Sequence, residues 1–197
     1  VTVKFLESCE GAEPVSTHQY VLPEVSGEKG GTGARLLYVT YAQYSREWNS
    51  ALHTHACAEL FFITGGHGEF KVRQERFPVA INDLVVVNTS VPHTETSQKG
   101  SPMEYVVLGV QGLETLTDVS GCSLMHLLSE QETVAGCLRI MVQEARGGQS
   151  GWGGICQNLL EVILRRLLRR EDFVLSSPTV EPKSSRECDL VRRYIDN

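Results

Sequence analysis

Residues 51–66 read ALHTHACAELFFITGG. His53 and His55 stand one residue apart, and Glu59 follows four positions later, ahead of an apolar run and a glycine pair. Side chains alternate between the two faces of an extended strand, so these three odd-numbered residues share one face if the strand is unbroken. We therefore predict that both imidazoles and the carboxylate face the interior of a β-barrel, at its mouth.

A third imidazole is predicted to reach the same mouth. His93 follows the strand-like run 83–88 and a Val-Pro turn, so a neighbouring strand can bring it there. Three imidazoles and one carboxylate suit zinc, iron, manganese, nickel or copper, and spacing alone does not choose among these metals. A metal-free effector pocket and a purely structural hydrogen-bonded cluster stay open as alternatives. A buried carboxylate needs compensation by a charge or by hydrogen bonds, which a metal or a protonated histidine would provide.

The first half of the sequence has the texture of an all-β domain. Short runs rich in Val, Tyr, Phe and Thr are separated by Gly, Pro and Asn clusters, which favours a sandwich or barrel. The predicted strands cover residues 34–44, 58–64, 68–77, 83–88 and 103–110.

After Gly121 the periodicity becomes helical. Apolar residues recur at three- and four-residue spacing over 123–146 and again over 155–172, which predicts two amphipathic helices. Residues 176–187 hold two prolines and four serines and are typical of a linker. The last ten residues, CDLVRRYIDN (188–197), then begin a further helix.

The bulk composition excludes several classes of protein. A net charge of −6 argues against nucleic-acid binding by the chain as a whole. No stretch approaches the roughly 20 apolar residues needed to span a bilayer, and the start lacks a signal-peptide pattern. The six cysteines stand in no close spacing, so we predict reduced thiols in a cytoplasmic protein without membrane partners.

Two stretches carry a resemblance to a known superfamily. The pattern HxHxxxExxxxxxG, which begins at His53, resembles the first motif of the cupins. Residues 77–93 resemble the second motif, which usually has a turn glycine and ends in P-x-G-x-x-H. Here Asn82 replaces the turn glycine, and Asn88 and Ser90 replace the proline and glycine of that ending. The resemblance implies a cupin-like jelly-roll β-barrel followed by a C-terminal pair of α-helices.

The order of the segments resembles that of the AraC-type transcription regulators. The stretch DLVRRYIDN near the end of this sequence is similar to the opening helix of their DNA-binding domain. The resemblance implies a cupin-like sensor and dimerisation domain ahead of two helix-turn-helix units beyond this chain. It divides the sequence into a barrel with an N-terminal arm (1–115), a helical dimerisation segment (116–175), the linker (176–187) and the start of a truncated DNA-binding domain (188–197).

The site residues follow from this resemblance and from residue chemistry. The predicted ligand-binding residues, of which the first four are also the candidate metal ligands, are His53, His55, Glu59, His93, Trp48 and Tyr105. The resemblance also implies that the second helix meets its symmetry mate in a homodimer, with a seam at Leu160, Ile163, Leu164 and Leu167.

We therefore expect the effector-sensing and dimerisation domain of a regulator, with a small molecule or metal as effector, DNA contact only through the further domain, and no catalytic residues. A metal-dependent cupin enzyme, such as a dioxygenase or isomerase, is the alternative and would use the same four ligands. A purely structural dimerisation module is a third interpretation.

The arginines of RRLLRR (165–170) are interpreted as a solvated helix face, supported by Glu161 one turn before Arg165.

Overall fold

The computed structural model describes residues 3–4, 16–23, 31–44, 48–49, 51–98, 100–117 and 120–176. The predicted DNA-binding start (188–197) and all of the predicted linker after its first residue therefore lie outside the described residues. The strands are β1 (Val3–Lys4), β2 (Ser16–Val21), β3 (Arg35–Gln43), β4 (Trp48–Asn49), β5 (Ala58–Gly65), β6 (His67–Val72), β7 (Glu75–Ala80), β8 (Asp83–Val87), β9 (His93–Ser97), β10 (Glu104–Gln111) and β11 (Cys122–His126), and the helices are α1 (Gln131–Gly147) and α2 (Trp152–Leu167).

Two antiparallel sheets form a jelly-roll. The large sheet has the strand order β1-β2-β3-β10-β5-β8-β11, and the small sheet has the order β4-β9-β6-β7. Strands distant in sequence lie side by side, as β3 and β10 do, because the chain crosses repeatedly between the sheets. The predicted fold class, a mainly β cupin-like jelly-roll followed by two helices, is confirmed.

The large sheet is buried on both faces. Phe61 and Ile63 of β5 pack in the apolar core between the two sheets. Leu60 and Phe62, which alternate with them, pack in a second core between the large sheet and the helices. This three-layer arrangement explains why the central strands read as nearly unbroken apolar runs, since both sides of each strand are covered.

The first helix starts later than its periodicity predicts. Residues 122–126 form β11, which pairs with β8 at the edge of the large sheet, and α1 begins only at Gln131. The predicted helix over 123–146 is therefore wrong in its first turns, because a short apolar run does not distinguish a buried strand from a helix. The sheet also continues past residue 115, where we predicted that the barrel ends.

The small sheet contains a hairpin where one strand was predicted over 68–77. β6 and β7 pair along their whole length, and Arg73 lies in the turn with a positive φ of 55°. The turn sequence Arg73-Gln74 contains none of the glycine, proline or asparagine residues that usually mark a turn, so this turn has no local signal.

The predicted dimer seam is wrong in its residues. Leu160, Ile163, Leu164 and Leu167 belong to the core that α2 shares with α1 and the large sheet, and each is at most 1% exposed. They cannot meet a symmetry mate unless the chain unpacks. On α2 the apolar residues that face outward are Ile155 and Val162, each 42% exposed, with Leu159 partly buried between them.

Two polar side chains of α2 fasten the start of β3. The Gln157 amide accepts a hydrogen bond from the Leu36 N–H (2.8 Å) and donates one to the Ala34 carbonyl (3.0 Å). One turn later, Glu161 accepts a hydrogen bond of 2.6 Å from the Thr32 hydroxyl. The helix is thereby bonded to the backbone and loop of a barrel strand as well as packed on the sheet.

Four cysteines lie in the described part of the chain, and all four are buried free thiols: Cys57, Cys122, Cys137 and Cys156. This agrees with reduced thiols at these positions. Neither described helix has the length and apolarity that crossing a membrane requires.

Candidate functional site

Four side chains converge at one end of the jelly-roll, where the two sheets meet. His53, His55, Glu59 and His93 each offer one ligand atom, and these atoms all lie within 4.8 Å of one another. The group is graded in depth: the His55 side chain is 38% exposed, whereas those of Glu59 and His93 are 5% and 2% exposed. The cluster thus has an outer part open to solvent and an inner part in the core, as expected for a barrel mouth.

The cluster forms although the strand predicted to carry His53, His55 and Glu59 begins only after the two histidines. β5 begins at Ala58, so Glu59 is the only one of its three predicted residues that lies in that strand. His53 instead pairs with His93 through two backbone hydrogen bonds of 3.0 Å. The His55 carbonyl accepts a hydrogen bond of 2.9 Å from the Ser90 N–H. Backbone bonds to His93 at the start of β9 and to Ser90 just before it therefore hold the two outer histidines in place.

Two of the unusual motif residues keep the backbone that glycine would adopt. Asn82 and Ser90 have positive φ values of 71° and 61°, in the left-handed region that favours glycine. Asparagine tolerates this region better than most residues, but serine has no such advantage. Ser90 nevertheless donates the bond that holds His55, so its strained turn contributes directly to the site.

Backbone carbonyls orient two of the imidazoles. Nδ1 of His93 lies 2.9 Å from the Val91 carbonyl, and Nδ1 of His53 lies 2.8 Å from the Ala51 carbonyl. A carbonyl oxygen can only accept, so each Nδ1 must carry the proton. In the neutral rings Nε2 then bears the lone pair, which is the arrangement that backbone acceptors commonly impose on metal-binding histidines.

Tyrosine and histidine side chains hold the buried carboxylate between them. The Tyr38 hydroxyl donates to Oε1 of Glu59 over 2.5 Å, and Oε2 lies 3.1 Å from Nε2 of His93 and 3.4 Å from Nε2 of His55. Burial raises the pKa of Tyr38, and the Glu59 charge raises it further, so the phenol stays a donor.

The pKa shifts of the inner pair favour an ion pair. Burial alone would raise the pKa of Glu59, but its contact with His93, the charge of His55 and the Tyr38 hydrogen bond together lower it. Burial likewise opposes the charged form of His93, yet Glu59 and the Val91 carbonyl raise its pKa. The pKa of His55 is lowered, chiefly by burial, so this outer ring stays neutral more readily.

The residues fit a transition-metal ion. Oε2 of Glu59 and Nε2 of His93 are both buried, and neither has a hydrogen bond of good geometry despite their close approach. Unsatisfied buried polar atoms destabilise a fold unless something compensates them. A cation bound by these two atoms and by the imidazoles of His53 and His55 would satisfy both. Three nitrogens and one oxygen suit zinc, iron, manganese or nickel.

The two predicted aromatic ligand residues differ in outcome. Trp48 belongs to β4, but its side chain lies outside what the structure describes. Tyr105 is buried deeper in the barrel, where its hydroxyl donates to Oε1 of Glu95 over 2.8 Å. The Phe61 ring lies between Tyr105 and His93, with 5.7 Å from its centroid to each of theirs. The hydroxyl of Tyr105 is therefore bonded to Glu95 rather than to a residue of the histidine cluster.

Glu95 is a buried residue of the barrel interior that the sequence reasoning missed. It is 4% exposed and lies two residues after His93 on β9, so the two share a face. Tyr105, which bonds Glu95, also lies 2.8 Å from the hydroxyl of Tyr44. The alternation His93, Glu95, Ser97 was the available signal, since every second residue of a strand faces the same side.

The family of the chain follows from a comparison with known families. The protein-family model described as AraC-like ligand binding domain matches residues 37–164, more than half of the chain. The chain belongs to the AraC-like ligand-binding domains. The matched range holds the whole histidine cluster and most of both helices of this AraC-like domain. No curated protein sequence matches it significantly.

One solved structure shows the same fold at low sequence identity, and two others match with lower scores. An apo ToxT variant from Vibrio cholerae matches the AraC-like domain with a TM-score of 0.57 and 10% identity, over 82% of this chain and 66% of the ToxT chain. A cupin superfamily protein from Desulfitobacterium hafniense matches with a TM-score of 0.37 and 11% identity, over 50% of this chain and 82% of its own. Oxalate decarboxylase from Bacillus subtilis, described for its Mn(II) centres, matches with a TM-score of 0.38 and 14% identity, over 61% of this chain and 32% of its own.

Proposed function

We propose that this AraC-like domain is the effector-sensing and dimerisation part of a cytoplasmic transcription regulator. A small molecule or a metal ion binds at the barrel mouth, and its binding controls an attached DNA-binding domain. The observation that carries the proposal is the His53–His55–Glu59–His93 cluster, which is open to solvent on one side and buried on the other. Family membership favours a regulator over an enzyme.

The four cluster residues would hold the metal if one is bound. The ion would supply positive charge and open coordination positions for the polar groups of an effector. The chain supplies the orientation: Tyr38 holds one oxygen of Glu59, and the Val91 carbonyl fixes the ring of His93. No residue is assigned a catalytic role.

A route from the site to the helices supports the sensing role. Tyr38, which bonds Glu59, lies on β3, and the start of that strand is bonded to Gln157 and Glu161 of α2 through Leu36, Ala34 and Thr32. An effector changes the arrangement of the helices only if it binds one arrangement more tightly than another. A ligand that displaces Tyr38, or Glu59 through its bond to Tyr38, would act on β3, the strand whose start is bonded to α2.

The dimer contact is proposed for the outer face of the helix pair. Ile155 and Val162 of α2 and Ile140 of α1 are each more than 40% exposed, although all three are large and apolar. An isologous dimer would bury these residues against their own copies across a two-fold axis. This face replaces the buried leucine seam that the sequence predicted.

The central experiment measures binding at the cluster. The chain is freed of metal with a chelator and titrated calorimetrically with Zn²⁺, Ni²⁺, Mn²⁺ and Fe²⁺, and a small-molecule library is screened by thermal shift with and without the tightest ion. We expect wild-type protein to bind an ion or a small molecule and His93→Ala to lose that binding. His67→Ala removes an exposed histidine outside the cluster and is the matched control. Wild-type and His93→Ala proteins that respond alike to every probe would contradict the proposal.

A second experiment tests dimerisation. Sedimentation velocity is measured for Val162→Glu and for Leu128→Glu, which adds the same charge at an apolar residue 80% exposed away from the helix face. We expect only Val162→Glu to dissociate the dimer. Turnover of a candidate substrate by metal-loaded protein would instead favour the dioxygenase or isomerase alternative.

A further inference from the structure

A second cleft lies outside the barrel, between α1 and the face of the large sheet that the helices cover. Its volume is about 420 Å³, within the range of roughly 300–1,000 Å³ that small-molecule sites occupy. A neighbouring hollow of about 470 Å³ shares Asn82, Ala135 and Arg139 with it, so the two form one groove along α1. None of the four histidine-cluster residues lines this groove.

The floor of the groove is apolar. Phe62 and Val106 line it from the large sheet, and Leu138 and Val142 line it from α1. These side chains belong to the core between the sheet and the helices. An occupant therefore needs an apolar body.

The rim of the groove carries two arginines, together with Glu104 and Glu132. Arg139, Gln143 and Arg146 line it at helical spacings of four and three, which places them along one side of α1. The guanidinium of Arg146 already lies over the Tyr41 ring, 5.0 Å from its centroid. Within the part of the chain that the structure describes, Arg139 forms no ion pair. It is therefore available to an anion.

A buried hydroxyl in the same lining lacks a partner. Oγ1 of Thr64 is buried and makes no hydrogen bond within the described structure. Such a group destabilises the folded chain, and an acceptor atom of a ligand would satisfy it once the Thr64 side chain turns the hydroxyl toward the groove. Asn82 lines both hollows beside Arg139 and offers an amide donor.

We propose that this groove binds a small organic monocarboxylate. Arg139 pairs with the carboxylate, Thr64 and Asn82 donate hydrogen bonds to it, and the apolar body lies on the floor. A cationic ligand would face two arginines, and a neutral apolar ligand would leave the Thr64 hydroxyl unpaired. A polyanion would need more cations than the rim offers, since Glu104 and Glu132 also line the groove.

The test uses cyclohexanecarboxylate as the probe and cyclohexylmethanol as its uncharged counterpart, with binding followed by chemical-shift titration. We expect saturable binding of the acid, much weaker binding of the alcohol, and at least a tenfold loss of affinity in Arg139→Gln. Arg169→Gln, which removes an exposed arginine outside the groove, is the matched control and should bind like wild type.

Thr64→Val gives a readout that a merely structural role would not produce. Removing the unpaired hydroxyl should raise the melting temperature of the free protein, yet weaken binding of the acid several-fold. His93→Ala should bind the acid like wild type, so failure of the barrel site and failure of the groove are distinguishable. The proposal is overturned by no saturation up to about 10 mM acid, by equal binding of the alcohol, by an unaffected Arg139→Gln, or by loss of binding in His93→Ala.

Discussion

Replacing Leu164 by alanine tests whether the leucines of α2 stabilise one chain or join two. Leu164 is fully buried in the core that the helices share with the large sheet. At such sites the substitution removes apolar contacts and leaves a cavity, at a cost of about 2.7–5 kcal/mol. Because the large sheet and the two helices enclose this core and leave little room to collapse, we expect a loss of about 3–5 kcal/mol.

This loss is large against the total stability of about 5–15 kcal/mol that folded proteins have. In a chain of this size it corresponds to a melting temperature lower by about 6–20 °C. Urea unfolding at two protein concentrations, about fifty-fold apart, measures the free energy of unfolding and separates folding from association. A core leucine gives the same loss at both concentrations.

Val162→Ala is the matched control, because Val162 lies two residues away on the same helix and is 42% exposed. Its free energy of unfolding should stay within about 0.5 kcal/mol of wild type at the lower concentration. A Leu164→Ala protein within about 1 kcal/mol of wild type, or one whose loss disappears at the higher concentration, would refute the assignment of Leu164 to the core of the single chain.

Three further predictions concern the barrel mouth. Ser90→Gly should stabilise the fold by about 0.5–1 kcal/mol, because glycine adopts the positive φ without strain; urea unfolding checks it, and Ser90→Ala should give no gain. Tyr38→Phe should cost about 1.5–3 kcal/mol in the same assay, because it removes the hydrogen bond to the ionised Glu59; an unchanged stability would contradict that bond. In chelated protein, the free energy of unfolding should fall as the pH rises above about 6.5, by up to about 1.4 kcal/mol per pH unit for the one proton on His93.

The sign of that pH effect follows from the two pKa shifts. His93 has a pKa raised above its ordinary 6.5, so its contribution is present below 6.5 and is lost as the pH rises through the folded-state pKa. Glu59 has a pKa lowered from 4.5, so its contribution is present above 4.5 and is lost as the pH falls through the lower folded-state pKa. Glu59→Gln should flatten the dependence above pH 6.5, since it removes the charge that holds the His93 proton. A slope unchanged in this variant would assign the effect to another group.

The sequence predicted the residues of the cluster better than the way in which it forms. Alternation correctly placed Glu59 with Phe61 and Ile63 toward the barrel interior, since all three lie in one strand. It did not apply to His53 and His55, which precede the strand and are held by backbone bonds to distant residues. Such long-range pairing has no local pattern in the sequence. The motif therefore predicted that the two histidines lie near Glu59, whereas the alternation of strand residues did not explain it.

The dimer seam could not be predicted for a related reason. An apolar stripe such as Leu160, Leu164 and Leu167 shows that one helix face is buried, but not which surface buries it. That requires knowing that the large sheet turns its second apolar face toward the helices. The groove beside α1 was invisible for the same reason, because Thr64 and Arg139 are 75 positions apart in the sequence.

β5 separates the interior of the barrel from the core beneath the helices. Glu59 faces the histidine cluster, while its neighbours Ala58 and Leu60 face the core beneath the helices. A single inserted residue in this strand would move each later side chain to the opposite face. The carboxylate would then enter the core beneath the helices, and a leucine would enter the histidine cluster. Insertions or deletions in β5 should therefore prevent folding, whereas a length change at the exposed Gly100 should be tolerated because it leaves the alternation of β5 intact.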